Sequence, residues 1–114
     1  MKIHYLEIVT PDVETACRVY AQIHDVTFGP PDPNLGGART APLADGGRIG
    51  VRGPLRPTET PVVRPYLLVD DLRAAVDAAA AAGAEIAMEP TPIPGQGQFA
   101  IFLHGGIESA LWQL

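Results

Sequence analysis

Glu7 is the residue in this sequence best suited to acid–base chemistry. It lies in an alternating segment, residues 3–9, in which Tyr5, Glu7 and Val9 face one side of a strand. A glutamate withdrawn from water has a raised pKa and can act as a general base, and an arginine can stabilise the charge that develops on a substrate. A glutamate paired with arginine instead stays ionised and is a weak base. The sequence leaves both interpretations open.

No other group of residues has the spacing of a known catalytic motif. Cys17 falls in the buried stripe of a predicted helix, where burial raises the pKa of a thiol. His4 lies in the first strand, His24 at a helix end and His104 in a turn, and each fits a packing or surface role better than a catalytic one. The glycines of GARTAPLADGG lack the strand, loop and helix order of a phosphate-binding loop.

A duplicated unit carries these side chains. Residues 5–20 and 65–83 each run from a short apolar strand, through an acidic turn, into a helix with apolar residues every three to four positions. The first copy is predicted to continue into three antiparallel strands at VTF, ARTAPLA and RIGV. Asp12 is the predicted N-cap of its helix. The inward positions of that helix are Val13, Ala16, Cys17, Tyr20 and Ile23.

The second copy repeats this order. After a strand at 65–69, either Asp70 or Asp71 caps a helix that ends at Gly83 in a left-handed conformation. Three strands follow, at AEIAME, QFAIFL and SALWQL, and HGGIE forms a hairpin between the last two. PTPIPGQG, residues 90–97, is predicted to be a loop at the lip of a pocket that closes over a ligand. The inward positions of this helix are Leu72, Ala75, Val76 and Ala79.

Composition predicts one domain over residues 1–114. The chain is 46% hydrophobic and divides into module one at about 1–53, a linker at about 54–63 and module two at about 64–114. A net charge of −5 with only 8 basic residues argues against nucleic acid as a partner. No segment resembles a signal peptide or a membrane span, and Cys17 is the only cysteine, so we expect a cytoplasmic protein that does not bind membranes.

The order and spacing of these elements resemble the vicinal oxygen chelate (VOC) superfamily, which includes glyoxalase I, extradiol dioxygenases and bleomycin-resistance proteins. The resemblance covers almost the whole chain. It is carried by IVTPDVETACRVY, LLVDDLRAAVDAAAAAGAEI, MEPTPIPGQGQFAIF and GGIESALWQL. It implies an α+β fold of two βαβββ modules that form an incomplete barrel, with a small molecule and often a divalent metal in its concave face. Members of this size commonly form homodimers, so we expect a homodimer here.

The resemblance also implies where a metal would bind, with one ligand on the first and one on the last strand of each module. These positions fall on Tyr5, Arg64 and Ala110, and the fourth on one of Arg48, Gly50 and Arg52. Arginine is a fixed cation and alanine has no donor atom, so these residues do not suit a metal. We therefore expect no metal and no other cofactor. A shifted site that uses Glu7 and Glu108 would have only two carboxylates, and pairing of each with arginine is the favoured alternative.

The predicted role is capture of a small aromatic or anionic compound, as in resistance and sequestration proteins. Aromatic rings would provide stacking surface and an arginine, Arg64 or Arg52, would orient the ligand. The same aromatic rings could instead only fill the core. The alternative function is a glyoxalase-like enzyme, a lyase, isomerase, cyclase or dioxygenase, with Glu7 as general base or a shifted metal site. The predicted ligand-binding residues are Tyr5, Glu7, Arg52, Arg64, Tyr66, Glu108 and Trp112.

Overall fold

The computed structural model describes all residues 1–114 and contains seven strands and two α-helices. In chain order these are β1 (Ile3–Val9), α1 (Val13–His24), β2 (Arg39–Pro42), β3 (Arg48–Arg52), β4 (Val62–Leu68), α2 (Leu72–Ala81), β5 (Glu85–Ile93), β6 (Gly97–His104) and β7 (Ile107–Gln113). The strands pair in the order β2-β3-β1-β4-β7-β6-β5, and the sheet is not closed. The predicted α+β class is confirmed.

The chain forms two compact units. The first unit comprises Tyr5–Val63, and the second comprises Arg64–Leu114 together with Met1–His4. No helix is both long enough and apolar enough to cross a membrane.

In the first unit, α1 covers one face of β1 and β3. Ile8, Ile49 and Val51 pack in one core cluster with Cys17 of α1, which is 4% exposed. Because side chains alternate across a strand, the opposite face carries the residues one position away from these. The predicted cap is confirmed, since the Asp12 carboxylate accepts a hydrogen bond from the Thr15 backbone N–H at 3.2 Å. The prediction that Ile23 points inward is wrong, because it is 66% exposed.

The strand predicted at VTF, residues 26–28, does not form, so the first unit has one strand fewer than expected. Phe28 is nevertheless buried in the α1 core. The guanidinium of Arg39 donates to the carbonyl oxygens of Gly29 and Phe28, at 2.9 and 3.4 Å. Beside β2 only the Gly29 N–H bond to Thr40 and an isolated bridge between Asp32 and Ala38 follow the pattern of a sheet. The Arg39 side chain therefore binds carbonyl oxygens that a neighbouring strand would need as hydrogen-bond acceptors.

In the second unit, α2 packs on β6 and β7 through Leu72, Val76, Ala100 and Leu111. Asp71, not Asp70, is the N-cap and accepts from the Ala74 N–H at 3.0 Å. Gly83 follows the helix with a φ of +106°, as predicted.

The connections of the last three strands differ from the prediction at one place. The hairpin after His104 is confirmed, with Gly105 and Gly106 both at positive φ between β6 and β7. The predicted loop at residues 90–97 is wrong for its first half, because β5 continues to Ile93 and pairs with β6. Since β5 is an edge strand, its outward N–H groups need no partner, and proline is tolerated there.

Candidate functional site

Tyr5 and Glu7 share the face of the first unit that lies away from α1. In the parallel pairing of β1 with β3, Glu7 is opposite Gly50. The Tyr5 ring covers this glycine, since a Cβ atom at position 50 would lie 1.8 Å from the Tyr5 hydroxyl oxygen. The strand parity predicted from the sequence is therefore correct within this unit. Tyr5 is 2% exposed and occupies the space that a side chain on β3 would otherwise fill.

Arg52 joins three parts of the first unit in a buried ion network. Its Nε donates to Glu7 Oε2 at 3.0 Å. Its two terminal nitrogens donate to the two carboxylate oxygens of Glu59 at 2.9 and 2.8 Å, and Nη1 also reaches the Gly53 carbonyl at 3.2 Å. Glu7 and Arg52 are each 6% exposed. Four of the five donor hydrogens of Arg52 are thus engaged within the protein.

The segments around Arg52 explain why it is buried. Glu59 Oε1 also accepts from the Leu55 N–H at 2.7 Å, which folds the linker back on itself. On another side Gly36 lies over the arginine stem, because an added Cβ there would be 3.2 Å from Arg52 Cδ. The hydrogen bonds from Arg52, aided by that from Leu55 and opposed by burial, lower the pKa of Glu59 to about 2. The same pairing raises the pKa of Arg52.

This network bears on the acid–base role considered for Glu7. The structure shows the arginine-paired arrangement, with a charge-assisted hydrogen bond to the carboxylate. Glu7 Oε2 is thus already engaged as the acceptor of a hydrogen bond from Arg52.

The second unit carries an aromatic cluster on the face away from α2. Tyr66 and Trp112 meet edge to face with ring centroids 5.8 Å apart, and Tyr66 lies 6.0 Å from Phe99. His4 contacts Trp112 at 5.0 Å, and the indole N–H donates to the Gln96 carbonyl at 2.8 Å. Tyr66 is 6% and Trp112 1% exposed. These rings are buried and contact one another directly, at centroid distances of 5.0 to 6.0 Å.

Arg64 lies on the same face as Tyr66 and contacts Glu108. Its Nε and Nη2 both donate to Glu108 Oε1, at 2.9 and 2.6 Å. The Arg64 side chain is 8% exposed, whereas that of Glu108 is 41% exposed. This contact therefore joins a buried cation to a carboxylate side chain that is partly exposed to solvent.

The structure separates the predicted site residues into two groups. Tyr5, Glu7 and Arg52 belong to the first unit, and Arg64, Tyr66, Glu108 and Trp112 belong to the second. His104 stacks on Phe102 at 5.6 Å and its Nε2 lies 3.2 Å from the Ser109 hydroxyl. Phe102 packs against the α2 core, so this histidine lies on the other face from Tyr66.

Two contributors to these groups were missed. Glu59 lies in a proline-punctuated linker, a context typical of an exposed acidic residue, and only its bidentate contact with Arg52 shows its importance. Phe99 is opposite Trp112 in the pairing of β6 with β7, so it lies on the same face of the sheet as Tyr66. The alternation of side chains along β6 would have predicted this position.

The residues of this chain do not suit the metal that the resemblance implies. Nowhere in residues 1–114 do three His, Cys, Asp or Glu side chains come close enough to hold one ion. Gly50, one of the three candidates for the fourth expected position, lies beside the Tyr5 ring, and both candidate carboxylates are hydrogen-bonded by arginine. Transition metals need neutral imidazole, thiolate or free carboxylate donors in a cluster, and this donor set does not provide them.

No family model matches the sequence, and no curated protein matches it either. Solved structures do match. A hypothetical protein from Bacillus halodurans C-125 has a TM-score of 0.78 and 14% identity, over 99% of this chain and 94% of its own. A methylmalonyl-CoA epimerase from Mycobacterium tuberculosis has a TM-score of 0.71 and 17% identity, over 97% and 86%. A structure described as NAD-dependent benzaldehyde dehydrogenase from Legionella pneumophila has a TM-score of 0.69 and 11% identity, over 96% and 97%.

At 17% identity or less these likenesses show the architecture and leave the reaction open, since one fold serves many functions. The chain therefore has the fold of the vicinal oxygen chelate superfamily, that of the glyoxalases and bleomycin-resistance proteins.

Proposed function

We propose that this protein binds a small organic anion without a metal, with Arg64 as the residue that holds the anionic group. The observation that carries this proposal is the contact of buried Arg64 with solvent-reaching Glu108. A ligand carboxylate or phenolate can take the place of Glu108 Oε1 while the displaced glutamate turns into water. The exchange replaces the two charge-assisted hydrogen bonds to Glu108 with bonds of the same kind to the ligand, so its cost is small.

Arg52 does not suit this role. It is held by Glu7, by both oxygens of Glu59 and by a backbone carbonyl, and Glu59 is itself largely buried. Removing a partner from such a network leaves an uncompensated buried charge, which is strongly unfavourable. The sequence left Arg52 and Arg64 as equal candidates, and the geometry favours Arg64.

The aromatic part of a ligand would lie at the edge of the Tyr66 cluster, not between its rings. Tyr66 lies two residues beyond Arg64 on β4, so both face the same side, and the Trp112 ring contacts Tyr66 at 5.8 Å. A planar anion held by Arg64 therefore comes near this group of rings, and stacking on a ring edge adds to its affinity.

The test is a titration of the protein with 1-naphthoate, followed by the indole N–H signal of Trp112 in ¹⁵N-edited NMR spectra. Trp112 is the only tryptophan, so the signal is unambiguous. We expect the signal to shift with saturation. Arg64→Gln should abolish the shift, and Glu108→Gln should strengthen binding about fivefold, because the internal competitor loses its charge.

Arg73→Gln is the matched control, because Arg73 is 57% exposed on α2 and should leave the titration unchanged. If Arg64→Gln does not fold, Glu108→Gln decides the question, since it keeps the arginine. An indole signal that does not move, or that moves equally in all variants, contradicts the proposal.

The alternative function is an enzyme with Glu7 as general base, and the presence of an epimerase among the similar structures suggests the reaction to test. Epimerisation exchanges a proton next to a carbonyl group, so methylmalonyl-CoA in deuterated water is a suitable probe. Our proposal predicts no exchange at its C2 position. Exchange that disappears in Glu7→Gln would replace the binding proposal with the enzymatic one.

A further inference from the structure

An open groove lies in the first unit, between α1 and the segment 26–28. Its volume is about 320 Å³. Four α1 residues line it at spacings of three, four and seven, as expected for one face of a helix, and Arg39 of β2 closes its far side. The α1 residues that line it are Glu14, Cys17, Arg18 and Ala21.

The segment 26–28, which borders the groove, is not a strand. Arg39 binds the carbonyl oxygens of Phe28 and Gly29, and these bonds hold the segment away from a regular ladder with β2. These hydrogen bonds also hold the guanidinium of Arg39 in place, and the Arg39 side chain is 26% exposed. Arg39 is thus a preorganised cation at the wall of the groove. A ligand that binds it does not have to pay the conformational entropy of immobilising this side chain.

Charge in the groove is opposite in sign to that of the whole chain. The lining contains two cations, Arg18 and Arg39, and one anion, Glu14, in a protein of net charge −5. Arg39 Nη1 contacts Glu14 Oε1 at 3.1 Å, and the Glu14 side chain is 76% exposed. Such an exposed ion pair is weak, so an incoming anion can displace Glu14.

The remaining lining is apolar. Ala21, Val26 and Phe28 form the wall, and Cys17, 4% exposed, lies at the floor. We propose that this groove is a second binding site, separate from Arg64, for a small carboxylate with a compact apolar body. The carboxylate would bind Arg39 and Arg18, and the apolar body would lie against Val26 and Phe28.

The test is a titration with hexanoate, followed by backbone amide signals in ¹⁵N-edited NMR spectra. We expect shifts at Cys17, Ala21, Thr27 and Phe28, with a Kd on the order of 10 mM for a ligand of this size. Arg18→Glu should weaken binding about fivefold or more, because it reverses one of the two cations while leaving the buried contacts intact.

Arg73→Glu makes the same charge reversal on the exposed surface of α2 and should leave the hexanoate titration unchanged. Arg39→Gln should also abolish binding, but because Arg39 supports two carbonyl groups, Arg18→Glu is the deciding variant. Absence of shifts in the groove, or shifts unaffected by Arg18→Glu, would overturn the inference. Because the reporters are distinct, loss of this site leaves the Trp112 titration with 1-naphthoate unaffected.

Discussion

Arg52 shows how a small domain can keep a full charge almost out of water. Two carboxylates, Glu7 and Glu59, and one carbonyl group satisfy the guanidinium, and Glu59 in turn binds the Leu55 N–H. Every member has hydrogen-bond partners, which is the condition under which a buried ion network is tolerated. The network also joins residues from β1, β3 and the linker, so it fixes the path of the linker.

The Glu59→Gln variant tests whether the charge of Glu59 stabilises this network. The variant keeps the shape but loses the charge, and we expect the free energy of unfolding at pH 7 to fall by about 1–3 kcal/mol. Because the folded pKa of about 2 lies below the ordinary value, the wild-type advantage is present above about pH 5. It should shrink as the pH falls towards 2. Urea denaturation at pH 7, 5 and 4 measures this.

Glu89→Gln provides the comparison, since Glu89 is 65% exposed and pairs with exposed Arg73. An exposed pair of this kind contributes little, so the stability of Glu89→Gln should match that of the wild type within about 0.5 kcal/mol. Equal losses in the two variants would mean that the linker does not depend on Glu59.

Single residues were only partly predictable. Periodicity correctly placed Tyr5 and Glu7 on one face, because alternation is a property of the strand itself. It did not distinguish Arg52 from Arg64, because the difference depends on Glu59, a linker residue whose partner is set by tertiary contacts. Ile23 follows the helical spacing of buried residues yet is exposed, and it does not take part in the core cluster that α1 forms with β1 and β3.

At the level of elements, the approach of β1 to β3 depends on one glycine. The Tyr5 hydroxyl would lie 1.8 Å, and its ring carbon 2.4 Å, from a Cβ atom at position 50. No side chain fits there unless the buried tyrosine moves. The large Tyr5 ring therefore fills the space left by the missing side chain of Gly50, as large and small residues do in well-packed cores.

Gly50→Ala should consequently lower the free energy of unfolding by about 1–3 kcal/mol or more, as overpacked cores do. Thermal or urea denaturation gives the value. Combining it with Tyr5→Phe should recover only part of the loss, because the ring carbon stays too close.

Gly53→Ala is the control for this pair. Gly53 directly follows β3, but an added Cβ there meets its neighbours only at 4.0 Å, so the variant should be neutral. A Gly50→Ala protein as stable as Gly53→Ala would show that the Tyr5 ring is not held where the structure places it.

Caps and turns, which depend on neighbouring residues in the sequence, were predicted correctly. Segments at the edges of the sheet, which depend on contacts between distant residues, were not. Asp12 and the turn after His104 follow from side-chain capping and from the preference of glycine for positive φ. The segment 26–28 has strand composition, but Arg39 takes the carbonyl oxygen of Phe28 and that of the adjacent Gly29, contacts between residues eleven and ten positions apart. Residues 90–93 contain the prolines of a loop but lie on an edge strand that tolerates them.

At the level of the whole molecule, one open edge of the sheet, at β5, is already protected. The edge strand β5 contains Pro90 and Pro92 and two irregularities in its pairing with β6, and these features hinder addition of another strand. Exposed apolar side chains are therefore the better reason to expect a second subunit. On α1, Val19 and Ile23 lie one turn apart and are 47% and 66% exposed.

We predict that the protein is a homodimer and that Ile23 lies in its interface. Size-exclusion chromatography with light scattering should give twice the chain mass of 12.1 kDa. Ile23→Glu should shift the mass towards that of one chain, because a charge would be buried without a partner. Leu55→Glu, at a residue 67% exposed in the linker, should remain dimeric. A wild-type protein with the mass of one chain would show that the dimer is wrong and that this apolar pair on α1 is simply exposed to water.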